Sequence, residues 1–123
     1  MNSHADIFVQ ADATVQLRRF AAEFFATLGI AEFEERESSS YVNGRYYRSK
    51  SSEIEVELCH ADTEGLETYR FWASLTSLSA HRPASDVAKS YAQLLAAKGW
   101  SCFIPSLDWA KKGWTGDGLR YEA

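Results

Sequence analysis

An α+β domain, with one mainly antiparallel sheet carrying two helices on one face, is what the sequence predicts. Three observations point to it. Two stretches, 11–29 and 81–99, repeat apolar residues every three or four positions, the helical period. Between and around them lie runs that alternate with period two, joined largely by short polar turns. The order β-α-β-β-β-β-α-β fills residues 1–123, the length of one ordinary domain.

Each element has its own signal. DIFVQ (6–10) is a short apolar run suited to a strand. ADATVQLRRFAAEFFATLG then sets Leu17, Phe20, Ala21, Phe24, Phe25 and Leu28 on one helical face, with Arg18, Arg19 and Glu23 on the wet side. Asp12 is the expected N-cap, and Gly29 stands where a helix takes a left-handed terminal residue. IAEFEERE is expected near a sheet edge, since Phe33 is nearly its only apolar commitment. SSSYVNGRYYRS contains Asn43-Gly44, which supplies the positive φ angles of a two-residue hairpin. SEIEVELCHA alternates cleanly, DTEGLET is a polar turn, and YRFWASLTS returns as another strand.

In HRPASDVAKSYAQLLAAKG, Pro83 suits a first turn, Ser85 or a nearby polar group caps it, and Gly99 ends the helix. Val87, Ala88, Tyr91, Leu94 and Leu95 mark its buried stripe. WSCFIP is the last predicted strand, terminated by Pro105, and SLDWAKKGWTGDGLRYEA reads as a loop-rich tail.

A composition of 46% hydrophobic and 14% aromatic residues supports a packed core that needs neither metal nor disulfide. MNSHADIFVQADATVQ has no basic end followed by an apolar run, and no stretch is long enough to span a membrane. Cys59 and Cys102 are therefore expected as reduced thiols, and the protein as cytoplasmic. Of the net charge of −4, residues 31–67 alone carry −6, with ten acidic and four basic side chains. Such a middle third repels phosphate backbones and attracts basic partners, which argues against direct nucleic-acid binding.

No catalytic motif emerges. GDG (116–118) lacks the spacing of a phosphate loop. Cys59 and His60 point to opposite faces of a strand, so they make a poor local pair, and His60 falls on the inner face with Ile54, Val56 and Leu58. Glu53, Glu55 and Glu57 repeat along roughly 13 Å, too far to share one ion. No catalytic residue, metal or cofactor is expected.

The glutamate row has a plain reading as the solvated side of a half-buried sheet that also deters edge-to-edge association. Two features go further. Like charges on one face cost stability, and YRFWASL places Tyr69, Phe71, Ala73 and Leu75 on one side with Arg70, Trp72 and Ser74 on the other. Trp72 is then expected on the wet face among the carboxylates, as interface anchors stand among charge.

The run ERESSSYVNGRYYRS, followed by an alternating strand ending CHADTEGLETYRFWASL, resembles the layout of small cytoplasmic bacterial immunity proteins encoded beside secreted or contact-delivered toxins. The likeness covers roughly residues 33–76 and lies in tyrosines, a turn and an acidic loop. It implies an inhibitor that binds a cognate toxin, commonly through an acidic surface when the toxin is a basic nuclease. On that expectation Glu53, Glu55 and Glu57 act as phosphate mimics, Trp72 with Arg70 as anchor, and Asp62, Glu64 and Glu67 as a loop rim. A second reading is a small-ligand-binding or enzymatic domain with a pocket between sheet and helices, using Tyr46, Tyr47, His60 and Arg70. A third is a homodimer subunit that self-associates through the sheet face.

Overall fold

Period-two strands and period-3.6 helices form one layer of each in the computed structural model, which describes residues 3–41, 44–106, 109 and 114–123. In chain order the elements are β1 (Ser3–Gln10), α1 (Leu17–Thr27), β2 (Glu34–Glu37), β3 (Arg45–Lys50), β4 (Ile54–His60), β5 (Tyr69–Ser77), α2 (Ala84–Ala97), β6 (Cys102–Pro105) and β7 (Gly118–Tyr121). They build an α+β domain whose seven-stranded sheet runs β2-β3-β4-β5-β1-β6-β7, every neighbour antiparallel. The expected order is present, and β7 adds a strand at the end of the tail read as loop. Among the described residues no helix is long and apolar enough to cross a membrane.

The main core lies between the inner sheet face and the two helices. Phe20, Phe24 and Phe25 of α1 and Phe71 of β5 are fully buried, each contributing about 1.5–3 kcal/mol by leaving water. Phe20 stacks on Phe71 with ring centroids 4.4 Å apart. Ile54, Val56 and Leu58 face the same core, as the alternation requires. Leu94 departs from its expected place: it is 44% exposed, and Ala92 joins Val87, Ala88, Tyr91 and Leu95 in the buried α2 stripe.

Both helix starts are made differently from the expectation. Asp12 accepts from the Thr14 backbone N–H and hydroxyl, forming a turn, and α1 begins after Gln16 without a side-chain cap. No side chain of the α2 segment caps α2; the Ala84 N–H donates to Ser3 Oγ of β1 at 2.8 Å. At the other end of α1, Gly29 takes φ +72°, as expected of a left-handed terminator.

The β2–β3 turn is also longer than a two-residue hairpin. Glu37 pairs with Arg45, and the Ser38 N–H donates to the Gly44 carbonyl, so residues 38–44 make the connection. Gly44 has φ +71°; Asn43 lies outside the described residues.

Candidate functional site

The sheet's outer face, away from the helices, divides into two halves. On the β2–β4 half the glutamates stand where alternation puts them, but each has a partner within the chain. Arg48 lies opposite Glu57 and Lys50 opposite Glu55 in register. The Arg48 guanidinium reaches Glu55 at 3.3 Å, and Tyr41 donates its hydroxyl to Glu57 at 2.6 Å. Glu53, just before β4, lies 3.6 Å from Arg82. Cross-strand pairs of opposite charge contribute roughly 0.2–1 kcal/mol each, which offsets the repulsion of aligned carboxylates. One row crosses five strands: Glu34, Arg48, Glu57, Ser74 and Asp6. Signs alternate along its first three members, so this face is a mixed-charge ladder instead of a uniformly acidic surface.

In the β4–β5 loop acid stands without base, as it also does at scattered positions such as Glu23, Glu32 and Glu37 among the described residues. Asp62, Glu64 and Glu67 are all exposed, and no ion pair is found for any of them among the described residues. The loop is nevertheless ordered. Leu66 is buried at its centre, the Leu66 and Tyr69 N–H groups donate to Thr63 and Leu66 carbonyls, and Gly65 takes φ +85°. Glu67 accepts from the Gly65 N–H, which draws its carboxyl below the ordinary range.

The β1–β5–β6 half of the outer face is covered. Phe8, Leu66 and Phe103 form a second buried cluster with Tyr69, Trp72, Trp109 and Trp114 packed against it. Trp72 therefore does not stand among the carboxylates. It lies opposite Cys59, stacks on Phe8 with centroids 5.8 Å apart, and donates Nε1–H to Asp6 at 2.8 Å. Asp6, only 6% exposed, also accepts from His4 at 3.2 Å and from Trp109 at 2.9 Å. Burial pushes its carboxyl up, but these donors outweigh that and hold it below the ordinary value.

Arg70 and Tyr69 are corrected by one irregularity. Gln10 lies opposite Tyr69 while Val9 lies opposite Phe71, so Arg70 is the extra residue of a β-bulge. The bulge reverses the facing: Tyr69 joins the outer cluster beside Phe103, and Arg70 turns to the helix side. There its Nε–H donates to the Val15 carbonyl at 2.7 Å and its guanidinium lies over Phe71.

Of the four residues of the expected inner pocket, His60 lines one cavity with Tyr47 and another with Arg70, whereas Tyr46 lies apart. Tyr47 is buried with its hydroxyl on Glu35, and Tyr46 stacks on Tyr41 on the outer face. His60 does face inward, 5.6 Å from Phe71, with its pKa lowered by burial and by Arg70. Cys59 continues the glutamate side but is buried beneath Trp72, and its sulfhydryl donates to the Trp72 carbonyl.

A cavity of about 510 Å³ opens elsewhere, beside β1, lined by His4, Asp6, Trp72, Lys89, Ile104 and Trp109 among others. Comparison with family models, curated proteins and solved structures finds no match to the chain.

Proposed function

We propose that the chain is an immunity protein that binds and neutralises a cognate bacterial toxin, a basic nuclease, and performs no catalysis itself. The observation that carries this reading is the β4–β5 loop. Three carboxylates, Asp62, Glu64 and Glu67, stand on an anchored turn without a counter-ion among the described residues. An ordered loop loses little entropy on binding, and unpaired carboxylates on a rim steer a basic partner and reject an acidic one.

Glu53 stands at the opposite end of β4 from this loop, beside Arg82, and Glu55, whose side chain is 22% exposed, belongs to the ladder that stiffens the face between them. Arg70 and Trp72 act through the frame that holds the loop: Arg70 at the bulge that ends it, Trp72 in the cluster that seats Leu66.

The test is capture from source-cell lysate on the immobilised chain at low and high salt, followed by a nuclease assay of the captured protein. The expected result is a basic protein released by salt, whose nuclease activity the chain suppresses stoichiometrically. Asp62→Asn/Glu64→Gln/Glu67→Gln should suppress it far less. A captured protein whose activity is indifferent to the chain contradicts the reading.

A further inference from the structure

The tryptophan-lined cavity belongs to neither the acidic loop nor the charge ladder. Among the described residues β6 pairs with β1 only at Phe8 and Val9, and no strand pairs with residues 3–7 on that side. Into the wedge come Asp6 from β1, Trp72 from β5, Trp109 from the tail segment and Leu119 from β7. Ser85 and Lys89 of α2 stand at its exposed side.

We propose that this cavity binds a small organic ammonium ion with a short apolar body. Its volume, about 510 Å³, suits a small molecule. Asp6, its one acidic group among the described residues, is 94% buried, since only 6% is exposed. The Asp6 Oδ1 accepts from His4 and Trp72, whereas among the described residues Oδ2 accepts from Trp109 alone. A carboxylate offers about four acceptor sites, so one stays open for a further donor. The two indoles meet at an interplanar angle of 83°, with centroids 5.6 Å apart, forming an aromatic corner beside that carboxylate. Aromatic faces and a desolvated anion together favour a cation with an apolar body over its neutral counterpart.

Among the described residues two cations border the site, and neither closes it to a third. The His4 side chain is 53% exposed and can turn to solvent, releasing Oδ1. Lys89 lies on the exposed side of α2 and keeps its charge in water on a flexible stem.

The experiment titrates the full chain with 2-phenylethylammonium, 2-phenylethanol and 3-phenylpropionate, read by tryptophan fluorescence and calorimetry. The ammonium is expected to bind saturably at roughly millimolar affinity or better, at least about tenfold tighter than the alcohol or the carboxylate. Asp6→Asn should remove that preference, and Lys89→Gln should tighten the ammonium. Ser85→Trp blocks the mouth without touching the Asp6 network, so it should abolish binding while leaving the far-UV spectrum unchanged. Leu119→Trp is the second blocking variant should Ser85→Trp perturb α2. Equal binding of alcohol and ammonium, absence of saturation at millimolar concentrations, or undiminished binding by a folded blocking variant each overturns the proposal.

Discussion

The indole Nε1–H of Trp109 donates to Asp6 Oδ2 at 2.9 Å, joining positions 103 residues apart. With Trp72 and His4 on Oδ1, that carboxylate links β1, β5 and the tail segment on the outer face. Asp6→Ala would strand two indole donors beneath the second cluster. Hydrogen bonds to a charged group are worth about 1.5–3 kcal/mol. Equilibrium unfolding in urea should show Asp6→Ala destabilised by about 3 kcal/mol, and Trp109→Phe by about half as much because its ring still packs on Phe8. Near-wild-type stability in Asp6→Ala would contradict the linking role.

The His4–Asp6 pair fixes the sign of a pH effect. The Asp6 bond raises the His4 pKa above 6.5 although partial burial opposes it. A group raised on folding contributes stability that is full below 6.5 and lost as pH rises through the folded value. Asp6 is lowered below 3.8, so its contribution holds above that value and fades as pH falls through the folded one. Stability from the pair is therefore greatest between these limits, near pH 5–6. His4→Gln should remove the decline on the alkaline side, a change under about 1 kcal/mol because the imidazole is half exposed. An unchanged alkaline decline in that variant would sink the assignment.

Gly118 begins β7 where a side chain has no room. A Cβ there would overlap the Ile104 carbonyl oxygen and meet the Phe103 ring at 2.6 Å. Gly118→Ala should displace β7 from β6 and cost about 1–3 kcal/mol. Faster amide exchange at Cys102, Phe103 and Ile104 and a change in Trp114 fluorescence would report it. Wild-type exchange at β6 would show that the strand pairing is looser than described.

Both thiols should be inert in the native state. Burial pushes the Cys59 thiol up to about 12, with Glu57 and Asp6 adding to it, and burial alone raises Cys102 to about 12. A thiol-reactive dye should label neither until denaturant is added, because the thiolate is the nucleophile. Rapid native labelling at either position would contradict that burial.

How much of this was legible follows from what each residue type commits to. The α1 stripe from Leu17 to Phe25, the Ile54-Val56-Leu58 alternation and the glycine terminators state their partners locally, and those elements stand as expected. The covered outer half was signalled too, by the unbroken apolar runs Ile7-Phe8-Val9 and Cys102-Phe103-Ile104. Such runs mark strands buried on both faces. With that signal, Trp72 belongs in a second cluster beside Phe8.

The bulge at Arg70 had no such mark. It depends on how Gln10 and Tyr69 meet across the sheet, which period-two counting within one strand does not contain. The partners of Glu55 and Glu57 likewise depend on the β3–β4 register, so an apparent acidic row became a ladder once Arg48 and Lys50 stood opposite.

The most direct test of the binding account compares salt dependence of affinity for the captured toxin between two charge-neutralised triples. Asp62→Asn/Glu64→Gln/Glu67→Gln removes the free loop charges, and Glu53→Gln/Glu55→Gln/Glu57→Gln removes charges with partners in the chain. The account predicts that the loop triple loses roughly tenfold or more in affinity at low salt and flattens the salt dependence. The strand triple should lose less affinity but more stability. Equal affinity and an unchanged salt slope in the loop triple would contradict it.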